Sequence, residues 1–282
     1  MDLSKGNEVK MMQGKNDLAL DEFIEFDNDK IRRQASWKML VSFVVLAIVY
    51  TWRPFVLEIW HVKNAWAKNF LVIILLIVLA VLLLYFCRTT KVLQKRLHFN
   101  KAQKIWSGIL IVFMLPYLIF LVMQLVDTVR QPINKIFAAF MMAIMAAVVE
   151  ELLFRGLLFN SMLSFFYRQR YILLIASIIS SSLFGLIHLI NASHQPLKST
   201  IGQILVTFTM GLLFIYLRLL SNGIIWCIIF HFVIDFKPAI LSSNTGTHGA
   251  PLLQVFLVLL PIIIVGLICI WLFNRQYLKM NE

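Results

Sequence analysis

The sequence predicts an all-α protein, a polytopic transmembrane helical bundle of about eight helices. Three observations lead to this prediction. Of 282 residues, 60% are hydrophobic and only 14% are Asp, Glu, Lys or Arg, whereas a soluble domain is about 45–50% apolar and about 25% charged. The mean hydropathy is +0.83. Apolar runs recur at lengths near the ~20 residues that a helix needs to cross a hydrocarbon core. Soluble enzymes, nucleic-acid-binding domains and disordered proteins are therefore excluded.

The first four apolar runs predict helices near residues 38–52, 69–87, 105–126 and 135–163. The first is short and follows a basic segment. The second and third are almost purely aliphatic and aromatic, and they are separated by a basic connection. The fourth is the longest and is the only one of these four that contains two adjacent acidic residues. Each of the last three is long enough to cross about 30 Å at 1.5 Å per residue.

The second half of the chain predicts four more helices near residues 171–190, 201–219, 223–240 and 252–273. We assign residues 37–280 to one transmembrane domain, because they contain no internal repeat and no low-complexity tract. Residues 1–36 are polar and contain no apolar core of a signal peptide. We expect them to form a polar, acidic cytoplasmic tail.

The formal charge of +12 is divided unevenly along the chain. Residues 1–29 carry −5 and the other residues carry +17. Basic residues are concentrated in the connections on one side of the predicted membrane domain, which indicates the cytoplasmic side. We therefore expect a multi-pass protein of the cell membrane with both termini in the cytoplasm, a lipid bilayer as its surroundings and no nucleic acid partner. Fifteen basic residues lie on the predicted inner side (Lys30, Arg32, Arg33, Lys38, Arg88, Lys91, Lys95, Arg96, Lys101, Lys104, Arg168, Arg170, Arg218, Arg275, Lys279) and seven on the other (Arg53, Lys63, Lys68, Arg130, Lys135, Lys198, Lys237).

The fourth predicted helix contains the first cluster of ionisable residues, Glu150-Glu151-Leu-Leu-Phe-Arg155. An ionisable side chain in hydrocarbon costs several kcal/mol unless it is paired, so such residues are functional candidates. Glu151 and Arg155 are four residues apart, with the acid first, which favours an ion pair on one helix face. Glu150 points about 100° away. We expect it to face a cavity, where it would suit the role of general base. A purely structural ion pair would leave Glu150 unexplained.

Two further clusters lie in later helices. Phe184, His188 and Asn191 have spacings of four and three, which place them on one helix face. His231 and Asp235 are four residues apart, so they too share a face. They would bind a metal together, or the aspartate would orient the imidazole, or the two would form a structural pair.

One polar site shared by the three clusters is the simplest explanation. Such a site would polarise water in one of two ways, directly between a carboxylate and an imidazole or through a bound metal ion.

The ordered set of motifs resembles the family of CAAX prenyl proteases and bacteriocin-processing proteins, also called CPBP or Abi proteins. The residues that carry the resemblance are Glu-Glu-x-x-x-Arg at 150–155, Phe-x-x-x-His at 184–188 and His-x-x-x-Asp at 231–235. They place a protease core at about residues 130–240. The resemblance implies eight transmembrane helices and hydrolysis of a peptide bond in a membrane-associated peptide or protein.

The resemblance also implies roles for the individual residues. Glu150 and His188 would activate the attacking water, and His231 and Asp235 would complete the catalytic site. Glu151 and Arg155 would support them, and we place Asn191 with these supporting residues. Related prenyl proteases have Asn where this chain has Asp235, and an ionised aspartate cannot donate a hydrogen bond to an oxyanion. An orienting or metal-binding role therefore suits Asp235 better.

The resemblance leaves two questions open. The first is the cofactor: the protein is either a glutamic protease without a metal or a metalloprotease whose divalent ion, zinc, is held by Glu150, His188, His231 and Asp235. The second is the activity: the substrate would be a CAAX-type or a bacteriocin- or pheromone-type peptide, while the same fold also serves as a non-catalytic scaffold or self-immunity protein. A transporter or proton relay is a third class, because buried ionisable residues also mark ion pathways.

Overall fold

The computed structural model describes residues 29–59, 65–237 and 251–279. These residues form eight helices and no β-strand, which confirms the predicted all-α bundle. We number the helices in chain order: α1 (Asp29–Ile59), α2 (Ala65–Cys87), α3 (Lys101–Val129), α4 (Ile133–Phe165), α5 (Ile172–Leu186, extended by a 3₁₀ turn at Ile187–Ser193), α6 (Leu197–Ser221), α7 (Ile225–Asp235) and α8 (Leu252–Lys279).

Six of these helices are long and apolar enough to cross a membrane: α1, α3, α4, α5 with its 3₁₀ turn, α6 and α8. The protein is therefore a multi-pass membrane protein. The prediction for the seventh helix, residues 223–240, was too long, since α7 has 11 residues and spans only about 16 Å. The helix ends at Asp235, and Pro238 follows three residues later. A proline disfavours helical backbone in the residue before it.

The first helix also differs from its predicted range. Because α1 begins at Asp29, residues 29–36 belong to this helix, although we had assigned them to the tail. Ser36 is fully buried and donates a hydrogen bond to Ser164 at 2.6 Å. Residues 1–28 lie outside the described residues.

Hydrogen bonds between helix ends show that neighbouring termini meet at two ends of the bundle. The bond from Ser36 to Ser164 joins the first turns of α1 to the last turn of α4. Gln276, near the end of α8, donates to the carbonyl of His98 in the connection between α2 and α3 at 2.7 Å. The same connection also bonds the last turn of α6. We call this the basic end, because the connections that meet there hold most of the lysines and arginines.

Different helix termini meet at the opposite end. Gln124, near the end of α3, donates to the carbonyl of Ile234 in the last turn of α7 at 3.2 Å. Asn191, in the 3₁₀ turn after α5, donates to Gln203 near the beginning of α6 at 3.0 Å. The helices therefore run alternately from one end to the other, as expected for successive spans joined by short connections.

Helices α5 and α6 pack closely through small residues. A Cβ atom on Gly211 would lie 2.8 Å from the Cβ of Ser181, and one on Gly185 would lie 3.0 Å from the carbonyl oxygen of Ile204. Small residues at such contacts allow the backbones of membrane helices to approach each other. This packing sets the position of the 3₁₀ turn, which contains His188, against the first part of α6.

A buried polar cluster around Arg218 joins α4 and α6 to the connection after α2. Arg218 is fully buried and donates to the carbonyl of Thr90 at 3.2 Å and to Asn160 Oδ1 at 2.9 Å. Asn160 in turn donates to the carbonyl of Cys87 at 2.9 Å. We had counted Arg218 among the charges near a connection. The structure shows that it is also buried, where it joins α6 to α4 and to the connection after α2 at the basic end.

Candidate active site

Two helices, α4 and α7, bring buried charged groups together around Glu151. His231 of α7 has its Nδ1 atom 2.7 Å from Glu151 Oε1, and Arg155 Nη1 lies 3.1 Å from the same oxygen. The side chains of Glu151 and Arg155 are 0% and 1% exposed. The arginine also lies over an aromatic face, with its guanidinium carbon 3.9 Å from the centre of the Phe184 ring. Glu151 thus bridges a cation of its own helix and an imidazole of another.

The second nitrogen of His231 faces two further carboxylates. Its Nε2 atom lies 3.3 Å from Asp235 Oδ2 and 3.8 Å from Glu150 Oε2. The imidazole stacks on Phe214 with ring centres 5.5 Å apart and an angle of 25° between the planes. His231 is therefore held in place by hydrogen-bonding groups on both edges and by an aromatic ring on one face.

Glu150 lies on a cavity of about 260 Å³. Its side chain is 18% exposed, whereas the neighbouring Glu151 is fully buried. Tyr50 of α1 donates a hydrogen bond to Glu150 Oε1 at 3.0 Å. The cavity is lined by Tyr50, Thr51, Glu150, Phe154, Ile187, His188, Ile190, Asn191 and Gln203.

His188 faces the same cavity from the 3₁₀ turn. Its Nδ1 atom lies 2.9 Å from the carbonyl oxygen of Phe184. A carbonyl only accepts hydrogen bonds, so Nδ1 carries a proton, and the neutral tautomer with this arrangement has its lone pair on Nε2. Asn191 is one 3₁₀ turn further along and also lines the cavity, where its amide donates to Gln203. In a 3₁₀ helix, residues three apart lie directly above one another.

The backbone of α4 changes its winding at the acidic pair. The helix is α-helical over Ile133–Glu150, π-helical over Glu151–Leu158 and α-helical again over Phe159–Phe165. A π-helical turn is wider than an α-helical one, and such segments occur frequently at functional sites. The change begins between Glu150 and Glu151. The first of these residues lines the cavity and the second lies in the packed interior.

The described residues contain no group of three or more His, Cys, Asp or Glu side chains arranged to hold a metal ion. Both nitrogens of His231 already face carboxylates, and one nitrogen of His188 bonds a carbonyl. Each nitrogen of His231 thus has a carboxylate neighbour in this arrangement, and metal binding by Glu150, His188, His231 and Asp235 stays a prediction.

The structure places all seven predicted site residues in one region. Glu150, His188 and Asn191 line the cavity, while Glu151, Arg155, His231 and Asp235 lie beside or behind it. Sequence reasoning missed three contacts of this region: Tyr50, Gln203 and Phe214. No sequence signal could have found Tyr50, because its only relation to Glu150 is through the packing of α1 on α4. Gln203 was detectable as a polar residue within an apolar run.

Comparison with known families identifies the part of the chain that holds this site. Residues 132–237 match the family model for the type II CAAX prenyl endopeptidase Rce1-like proteins. This match confirms the resemblance that the three motifs predicted. The Rce1-like segment contains all seven predicted site residues and all of α4, α5, α6 and α7. It indicates that this segment resembles a membrane protease. No curated protein and no solved structure gives a significant match.

Proposed function

We propose that this protein is an intramembrane endopeptidase in which Glu150 and His188 activate a water molecule directly. The substrate is a peptide or protein anchored at the membrane, cut in CAAX-type or in bacteriocin- or pheromone-type processing. The observation that supports this proposal is that Glu150 and His188, from two different helices, line one cavity whose lining also includes the half-buried polar side chains of Asn191 and Gln203.

The two groups suit complementary roles toward water. The ionised carboxylate of Glu150 and the Nε2 lone pair of His188 are both acceptors. They would bind the two protons of one water molecule and direct an oxygen lone pair at the scissile carbonyl carbon. Glu150 takes a proton as the new C–O bond forms, and the carbonyl electrons move to the oxygen. When the C–N bond breaks, Glu150 returns the proton to the leaving amine.

His231 is the group that would stabilise the negative oxygen of the tetrahedral intermediate. Its Nε2–H lies 3.3 Å from Asp235 and would be shared with the oxyanion. Asp235 would hold the ring in position, which agrees with the observation that an ionised aspartate cannot donate to the oxyanion itself. The short contact from Nδ1 to Glu151 would fix the imidazole before the substrate arrives. Such preorganised donors commonly contribute several kcal/mol to catalysis.

The decisive experiment compares the membrane peptides of cells that express the wild type, Glu150→Gln, His188→Ala or the control Asp127→Asn. Asp127 is an exposed acid on α3, away from the cavity. We expect one precursor to accumulate in the Glu150 and His188 variants alone, because general acid–base groups contribute about 10²- to 10⁴-fold. Cleavage of that precursor by purified Glu150→Gln protein would overturn the proposal. A phenotype that survives both substitutions would favour the scaffold or immunity function.

A chelator distinguishes the glutamic from the metallo mechanism. After exhaustive treatment of the purified protein with 1,10-phenanthroline and EDTA, we expect cleavage of the identified precursor to continue at the same rate. Loss of activity that zinc restores, with activity unaffected by a non-chelating phenanthroline isomer, would show that a metal takes part.

A further inference from the structure

The active-site cavity is lined in part by residues from the end of the bundle that carries few basic residues. Asn191 lies in the 3₁₀ turn that ends α5, and Gln203 lies seven residues into α6. Both line the cavity and both belong to the opposite end of the bundle. Gln195, in the connection between them, donates to Gln203 at 2.8 Å, so three side-chain amides lie together on this side of the cavity. Amide groups at a cavity mouth are suited to water and to the backbone of a peptide.

The route from the basic end is closed by packed side chains. Every residue of α4 from Glu151 to Ser164 is buried. These 14 residues correspond to roughly 20 Å of helix between Glu150 and the basic end. On the other side of Glu150, α4 alternates between buried and partly exposed residues. Glu150 is therefore accessible from the opposite end and shielded from the basic end.

The distribution of charges tells which end lies in the cytoplasm. The fifteen basic residues assigned above to the inner side are at the basic end, on the helix termini and connections that meet there. Six of the seven others lie on described residues of the opposite end, and Lys63 lies outside the described residues. Lys and Arg in short connections favour the cytoplasmic side, whereas Asp and Glu have little influence. The basic end is then cytoplasmic, and the cavity opens on the other side.

We infer that this protease cuts peptide bonds presented from the side of the membrane opposite the cytoplasm. The substrate class is a membrane-anchored polypeptide whose cleavage site has already been translocated. A C-terminal peptide held in the cytoplasmic leaflet by a lipid would instead meet the packed, basic end. The assignment of this substrate rests on the proposed proteolytic function, while the direction of the opening does not.

Cysteine labelling tests the direction without any need for activity. The three native cysteines are buried, so the wild type is expected to label weakly. Single variants would place a thiol in the cavity (Thr51→Cys), on the exposed surface of the opposite end (Lys198→Cys) and on the exposed surface of the basic end (Lys95→Cys). Each is treated with a small membrane-impermeant thiol reagent in right-side-out and in inside-out vesicles.

We expect the Thr51 and Lys198 variants to label in right-side-out vesicles, and the Lys95 variant to label only in inside-out ones. The inferred opening would be overturned if the Thr51 variant labelled only in inside-out vesicles, as the Lys95 variant does. It would also be overturned if the Thr51 variant labelled in neither kind of vesicle. The reverse pattern for the Lys95 and Lys198 variants would overturn the orientation. None of these results depends on proteolysis. If labelling agrees but Glu150→Gln does not change any peptide, the proposed function fails while the inferred opening stands.

Discussion

Two arginines of this protein are fully buried in the same bundle and differ in what surrounds them. Arg218 donates to backbone carbonyls and to the side chain of Asn160. Arg155 lies 3.1 Å from a carboxylate oxygen of Glu151 and over the ring of Phe184. The first arginine holds chain segments together through hydrogen bonds. The second balances the charge of an acid that also contacts His231. Burial of a cation alone therefore does not identify an active site, whereas the groups around it do.

The largest effect on stability is expected from Glu151→Gln. The substitution leaves the buried charge of Arg155 without its carboxylate, and breaking a buried ion pair on one side costs about 3–5 kcal/mol. It also removes the anionic partner of His231, so activity should fall together with stability. Thermal unfolding of the purified protein in detergent and cleavage of the identified precursor measure the two effects separately.

The matched control for this prediction is the adjacent residue. Glu150 is partly exposed on the cavity. We expect Glu150→Gln to unfold at the wild-type temperature while its activity is lost. An equal loss of stability in both variants would contradict the different roles of the two glutamates.

A smaller loss of stability, with no loss of activity in the folded protein, is expected from Arg218→Met. The substitution leaves the oxygen atoms of Thr90 and Asn160 without the donors they have in the wild type. Hydrogen bonds to charged groups contribute about 1.5–3 kcal/mol. Arg96→Met is the control, because Arg96 is exposed and bonds a single carbonyl. If Arg218→Met changes kcat under conditions in which all of the protein is folded, the buried polar cluster around Arg218 also contributes to catalysis.

Much of the bundle and the local pairs could be predicted from the sequence. Hydropathy located all eight helices, and the spacing of four residues predicted the pairs Glu151–Arg155 and His231–Asp235, because each pair lies on one turn of one helix. The predicted length of α7 was wrong, because apolar residues continue in the sequence beyond the point where the helix ends. Charge counting also treated Arg218 as a group near a connection, although the folded chain buries it.

Contacts between helices could not be predicted in the same way. The 2.7 Å contact of His231 with Glu151 joins residues 80 positions apart. It depends on the packing of α7 beside the π-helical part of α4, and no periodicity in the sequence encodes that winding. The same holds for Tyr50, which is 100 positions from Glu150. Helix packing is decided by the shape of whole faces, so a single polar residue in an apolar run gives no information about its partner.

The smallest expected effect, from Tyr50→Phe, tests whether α1 takes part in catalysis although it lies outside the Rce1-like segment. The tyrosine donates to Glu150 Oε1, and the other carboxylate oxygen faces His231. In the proposed mechanism, that second oxygen is the one that would bind the attacking water. Loss of one such hydrogen bond corresponds to about 1 kcal/mol. We expect kcat to fall by up to about tenfold at an unchanged KM, because the bond positions the general base and does not bind the substrate. Tyr85→Phe, at a residue that is 74% exposed, is the control. A rise in KM at constant kcat would instead place Tyr50 in the substrate-binding surface of the cavity.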